Sequence, residues 1–158
     1  MDILRIQYLI EVLVILVRQR NAVEVKHRLT NGNILSNLGK LLKRAPTLIK
    51  IGKLQLHLYA CIPTFVAITK LIRAVLNTKD FYYCKCVLST GCLENVLNAY
   101  SELSGEHNAF SGVCLEMFSW ILKVFSPSGS CIIFIGKYAK YYRVLEHKMS
   151  TQNGVGAW

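Results

Sequence analysis

The sequence is poor in acidic residues and in proline, and it has no long apolar run. Nine Asp and Glu residues accompany 19 Lys and Arg residues, so the formal net charge is +10. Three prolines and 53% hydrophobic residues argue against a disordered or linker-like chain, because such chains are too polar to form a core. At 158 residues the chain is long enough for one ordinary domain with a buried core.

No stretch matches a membrane-spanning helix, which needs about 20 predominantly apolar residues. The longest stretch without charge covers the 16 residues 54–69, and a histidine and a proline interrupt it. Residues 3–17 are apolar, but their positive flank, Arg18, follows them, which is the reverse of a cleaved signal peptide. Three interpretations of residues 3–17 are open: a core helix, a buried strand or an uncleaved membrane anchor.

Catalytic motifs are also missing. The sequence has no glycine-rich phosphate loop, no Gly-x-Ser-x-Gly and no His-Glu-x-x-His, and its acids do not form a recognisable acid/base pair. Each of the four histidines stands apart from other potential ligands. We therefore expect a protein that is not an enzyme and that uses no cofactor.

Cysteine is present, but its spacing does not match a typical metal site. Cys84-x-Cys86 followed by Cys92 is the tightest cluster, and these three residues are the candidate zinc ligands. Structural zinc sites use Cys-x2-4-Cys pairs, which a single Cys-x-Cys does not match, so no metal is expected. We interpret the six cysteines as mostly buried free thiols, and we predict an intracellular, reducing compartment.

Hydrophobic periodicity predicts a mainly α fold. Residues 33–44 place leucines on one face of a helix and basic residues on the other, and Ala45-Pro46 is expected to end that helix. A second amphipathic helix is predicted over 64–76. Residues 19–33 are polar and end in a turn signal, Thr30-Asn31-Gly32-Asn33.

The expected architecture is a single compact bundle of about five or six amphipathic helices over residues 1–149. Residues 150–158 are predicted to be a disordered tail. Alternating and β-branched residues leave one or two short strands as an alternative near 54–58 and 131–135.

Positive charge is the most informative feature that the sequence does contain. Residues 18–73 hold eleven basic residues and one acid, Glu24, so this segment accounts for the whole net charge. Such an imbalance exceeds what solubility requires and predicts an acidic partner. The expected anionic-partner residues are Lys40, Lys43, Arg44, Lys50, Lys53, Lys70 and Arg73. A secondary basic and aromatic patch is predicted at Lys137, Lys140, Tyr141 and Arg143.

Three kinds of partner fit this charge. The first is an anionic membrane surface or a membrane-associated assembly, with Leu35, Leu38 and Leu42 dipping into the acyl boundary beside the cations. The second is RNA or the ribosome, which the mixed basic and aromatic patch favours. The third is a single acidic protein surface. The apolar composition favours the first, so we predict a protein peripheral to a membrane.

Overall fold

A computed structural model of the chain describes residues 3–19, 23–54, 61–103 and 109–124. Within these ranges, the regular secondary structure is helix. The mainly α prediction is confirmed for these residues. They contain eight helices rather than five or six, and their arrangement as one compact bundle stays a prediction. In chain order the helices are α1 (Ile3–Arg18), α2 (Val23–Asn31), α3 (Ile34–Lys43), α4 (Ala45–Leu54), α5 (Cys61–Asn77), α6 (Phe81–Ser89), α7 (Cys92–Glu102) and α8 (Ala109–Val124).

The chain divides into two compact units, Met1–Cys114 and Leu115–Trp158. In the first unit, α1, α4 and α6 all pack against α5, and α3 packs mainly against α7. Phe65 of α5 meets Phe110 edge to face, with ring centroids 6.2 Å apart. In the second unit, the described residues are those of α8 beyond Cys114, where Met117, Phe118 and Ile121 are buried.

Residues 3–17 form most of α1, so the interpretation of this segment as a strand is wrong. Its buried side chains, Ile10, Val14 and Val17, recur at spacings of four and three, which places them on one helical face. The other face of α1 is exposed. Residues 3–17 suit a helix because their apolar side chains recur with the 3.6-residue period of a helix and are long enough to contact α5.

The polar segment 19–33, where the sequence indicates a turn at the end and no helix, contains α2 at residues 23–31. Few apolar residues mark this helix, and Leu29 is its one fully buried side chain. Contacts distant in sequence support it instead: Lys26 pairs with Asp80, and the thiol of Cys86 donates to the carbonyl oxygens of Leu29 and Thr30. Hydrophobic periodicity does not indicate a short helix that is stabilised by contacts distant in sequence.

Pro46 acts differently from what its sequence context predicts. α3 does end at Lys43, but α4 begins at Ala45 with Pro46 in its first turn, where a missing N–H costs no helical hydrogen bond. Leu54 ends α4, so the short strand expected near 54–58 is wrong at that residue. Residues 55–58, 131–135 and 150–158 lie outside the described residues.

Candidate functional site

Two consecutive helices bring four basic side chains to the protein surface. Two of them lie on α3, one is the C-terminal cap of α3, and one lies on α4; all are exposed. The backbone of Arg44 joins the helices, because its N–H donates to the Leu41 carbonyl at 3.0 Å and its carbonyl accepts from the Leu48 N–H at 3.1 Å. We call these four residues the basic surface: Lys40, Lys43, Arg44 and Lys50.

The opposite face of α3 fixes the basic surface to the fold. Leu35 and Leu42 have no exposed area, and α3 approaches α7 closely at Gly39. A Cβ atom at Gly39 would lie 3.2 Å from Cys92 Sγ, closer than ordinary contact. Two hydrogen bonds cross this contact: Asn95 Nδ2 donates to Gly39 O at 2.9 Å, and the Cys92 thiol donates to Leu35 O at 3.0 Å. The basic surface therefore sits on a helix of defined position.

The charges of the basic surface are not neutralised within the part of the chain that the structure describes. None of its four side chains forms an ion pair with a residue in the described ranges. Because such pairs would have to be broken before an external anion could bind, unpaired cations are the ones that remain available to a partner.

The seven basic residues that the sequence predicts as one site lie on the consecutive helices α3 and α4 and on α5. Lys53 lies in the last turn of α4, on the same helix as Lys50. Lys70 is exposed and Arg73 half-buried on α5, a different element of the same unit. The secondary patch lies outside the described residues, and it stays a prediction: Lys137, Lys140, Tyr141 and Arg143.

The basic residues of α2 have a different environment. Lys26 Nζ lies 2.5 Å from Asp80 Oδ2 and 5.2 Å from the centre of the Tyr82 ring, and both side chains of the ion pair are about one-third exposed (33% and 30%). Arg28 Nε lies 3.0 Å from the carboxylate of Glu24, one helical turn earlier, and this pair is largely exposed. Both cations of α2 are therefore paired within the fold.

Asp80 does two things at the start of α6. Its Oδ1 accepts from the N–H groups of Tyr82 and Tyr83, at 2.9 and 3.3 Å, which caps the helix, and its Oδ2 pairs with Lys26. Partial burial opposes ionisation, but the Lys26 hydrogen bond and these N–H donors together lower the pKa of Asp80 below its ordinary value. The sequence analysis did not single out Asp80, although an Asp directly before an apolar run is an N-cap signal.

The three cysteines considered as zinc ligands serve different contacts. Cys84 and Cys92 are buried, and Cys86 is half-buried. Burial raises the pKa of the Cys86 and Cys92 thiols, which disfavours the thiolate that a metal would need. In the described ranges, no group of three or more His, Cys, Asp or Glu side chains is placed to hold a metal ion. The thiols of Cys86 and Cys92 instead donate to backbone carbonyls of α2 and α3.

A groove of about 310 Å³ with a mixed polar and apolar lining borders the basic surface at Lys43. α7 supplies its opposite wall, which carries amide and hydroxyl side chains and one acid. Such a groove can accept hydrogen-bonding groups in addition to charge. Its lining residues are Lys43, Pro46, Asn95, Asn98, Ala99, Ser101 and Glu102.

Comparisons of the chain with protein-family models, with curated proteins and with solved structures gave no match. Among the helices in the described ranges, none is both long and apolar enough to cross a bilayer. Function is therefore inferred from the charge and geometry of the described residues.

Proposed function

We propose that the protein is a non-enzymatic binding protein that docks on an anionic membrane surface through the basic surface of α3 and α4. One observation carries this proposal: two consecutive helices expose four cations that form no ion pair with a described residue. An anionic leaflet attracts cations near its surface, and it does so without requiring a shaped pocket.

The buried face of α3 changes the expected mode of contact. Leu35, Leu38 and Leu42 were expected in the acyl boundary, but Leu35 and Leu42 have no exposed area and Leu38 is half-buried. These leucines hold α3 to the protein, so lipid meets the charged face alone. At about 1 kcal/mol for each cation near an anionic surface, the four contribute about 4 kcal/mol, a reversible and salt-sensitive attraction.

Vesicle flotation tests the proposal. The triple variant Lys40→Ala, Lys43→Ala, Arg44→Ala should bind phosphatidylserine-containing vesicles about a hundredfold more weakly than the wild type, because three contributions are lost. The matched control, Arg5→Ala, Lys85→Ala, Lys123→Ala, removes three exposed cations elsewhere and should bind nearly as the wild type does. The wild type and both variants should not float with phosphatidylcholine vesicles.

Equal, negligible binding of the wild type to both kinds of vesicle would contradict the membrane proposal. If the triple variant and its control lose vesicle binding equally, binding depends on the total charge of the protein and not on the basic surface. Filter binding to RNA at several salt concentrations separates the RNA alternative, since phosphate contacts give a steep dependence on salt.

A second candidate partner is an acidic protein surface, which the groove beside Lys43 favours. Asn98 is an exposed amide in the lining of this groove and can hydrogen-bond to a protein partner, whereas a flat lipid headgroup layer does not fit into a groove. Asn98→Ala should weaken binding to a protein partner and leave binding to anionic vesicles unchanged. Loss of vesicle binding in that variant would argue against this second candidate.

A further inference from the structure

The exposed face of α1 has the side-chain spacing of a helix-pairing seam. Four large apolar side chains of α1 are more than half exposed, including Leu9 at 55%. Three of them follow one line along the helix: Leu4 at 62%, Tyr8 at 68% and Ile15 at 59%. Glu11 and Arg18 are exposed between and after them, which gives successive spacings of four, three, four and three. This is the repeat along which two helices pack side by side. We call these five residues the outer stripe: Leu4, Tyr8, Glu11, Ile15 and Arg18.

We propose that a second copy of the chain packs on the outer stripe, with the two α1 helices antiparallel. In an antiparallel pair, the two alternating kinds of seam position face each other. This direction places Leu4 against Ile15 of the partner subunit and Tyr8 against Glu11 of the partner subunit. Each contact then occurs twice, as the two-fold symmetry of a homodimer requires.

Hydrogen bonding makes the outer stripe self-complementary. One carboxylate oxygen of Glu11 accepts from Gln7 Nε2 at 3.0 Å, and the second oxygen can accept the Tyr8 hydroxyl of the partner subunit. A carboxylate that is covered by an interface needs such partners, because its desolvation is otherwise costly. A parallel pair would instead place the two Glu11 side chains opposite each other, where like charges repel.

The same acid makes a second copy a better occupant of the stripe than lipid. Glu11 lies at the centre of the stripe, and its repulsion from an anionic bilayer offsets the attraction of Arg18 at the end of the stripe, so such a bilayer gains no net charge attraction there. A single helix seam buries an area near the low end of specific interfaces, so the dimer is expected to be weak. Pairing would present two basic surfaces from one particle and so raise the avidity for an extended anionic surface.

Cysteine cross-linking between full-length chains tests both the contact and its direction. A mixture of Leu4→Cys and Ile15→Cys variants should give a covalent dimer under mild oxidation, because the antiparallel pair brings these positions together. Each variant alone should give no more dimer than the wild type, which reports the background from the native cysteines. Cross-linking of each variant with itself would show a parallel pair and overturn the proposal.

Sedimentation equilibrium supplies the second measurement. The wild type should show a concentration-dependent monomer and dimer equilibrium, and Ile15→Ser should raise the dimer Kd by roughly a hundredfold, because two apolar contacts are lost. Val23→Ser, which changes a residue on α2 that is 75% exposed, should leave the Kd unchanged. A wild type that stays monomeric at every concentration would overturn the proposal.

Vesicle flotation of Ile15→Ser tests whether lipid, rather than a second copy of the chain, covers the outer stripe. The variant should retain binding to anionic vesicles when it is measured as a monomer below the dimer Kd. If it loses that binding although it is as monomeric as the wild type, lipid covers the stripe and the second copy does not.

Discussion

The cations of α2 and those of the basic surface come from the same basic segment, but their surroundings differ. On α2, Lys26 lies 2.5 Å from Asp80, and Arg28 lies 3.0 Å from Glu24. On α3 and α4, the four cations of the basic surface have no such partner among the described residues. Positive charge therefore stabilises the fold at α2, and it remains available to a partner at the basic surface.

The difference between the two regions depends on one contact that is distant in sequence. Asp80 is 54 residues from Lys26, and the same carboxylate also caps α6. Counting charges within residues 18–73 cannot reveal this contact, because the acid lies outside that segment. The number of basic residues predicts an anionic partner, but the fold decides which of them can reach one.

The largest expected effect is on the support of the basic surface. Gly39→Val should lower the free energy of unfolding by about 2–3 kcal/mol, because the new side chain meets Cys92 where a Cβ alone would lie at 3.2 Å. Urea unfolding measures the change. Gly112→Ala is the matched control: no atom lies within 4 Å of its added Cβ, and it should gain stability from its better helix propensity. A Gly39→Val protein as stable as the wild type would contradict the close packing of α3 on α7.

The next effect concerns Asp80. Asp80→Ala should cost about 1–2 kcal/mol in unfolding free energy, because it removes both the cap of α6 and the partner of Lys26. Asp80→Asn keeps a capping side chain and removes the charge, so it should cost less than Asp80→Ala. If both variants lose the same amount, the cap contributes nothing beyond the ion pair.

The pH dependence of stability isolates the charge of Asp80. Its pKa is lower in the folded protein than the ordinary value of 3.8, so the ionised form stabilises the fold above that value. This contribution is lost as the pH falls through the lowered pKa. The stability difference between the wild type and Asp80→Asn should be complete at neutral pH and should disappear in acid below 3.8. A difference that does not change with pH would contradict this account.

The smallest effect is expected at the exposed pair of α2. Arg28→Ala should change the unfolding free energy by no more than about 0.5 kcal/mol, because both side chains are about three-quarters exposed (74% and 77%) and water screens their attraction. Thermal unfolding monitored by circular dichroism measures it. A larger loss would show that Arg28 makes a contact beyond its pair with Glu24.

Several parts of the fold could be predicted because their cause is local. The helices predicted over 33–44 and 64–76 correspond to α3 at 34–43 and α5 at 61–77, since an amphipathic repeat is a property of the segment itself. The exposure of Lys40 and Lys43 follows from the same repeat. Residues 81–89 are less clear from the sequence, because Tyr and Val are also common in strands, and the cap by Asp80 favours helix there.

Other parts could not be predicted because their cause is tertiary. α2 depends on Lys26 and Cys86, whose partners lie more than 50 residues away. The burial of Leu35 depends on α7, and an apolar helical face alone does not show whether protein or lipid will cover it. The sequence likewise does not show that Lys26 has an ion-pair partner and that Lys43 has none among the described residues.

Vesicle binding of two variants with equal charge tests the central claim most directly. Lys43→Ala, Arg44→Ala removes two cations from the basic surface, and Lys26→Ala, Arg28→Ala removes two from α2. The first should weaken binding to anionic vesicles by about thirtyfold, since each cation near the surface contributes about 1 kcal/mol. The second should bind nearly as the wild type does, with its loss seen in stability instead. Equal weakening of vesicle binding by both variants would contradict the claim that the basic surface binds the membrane.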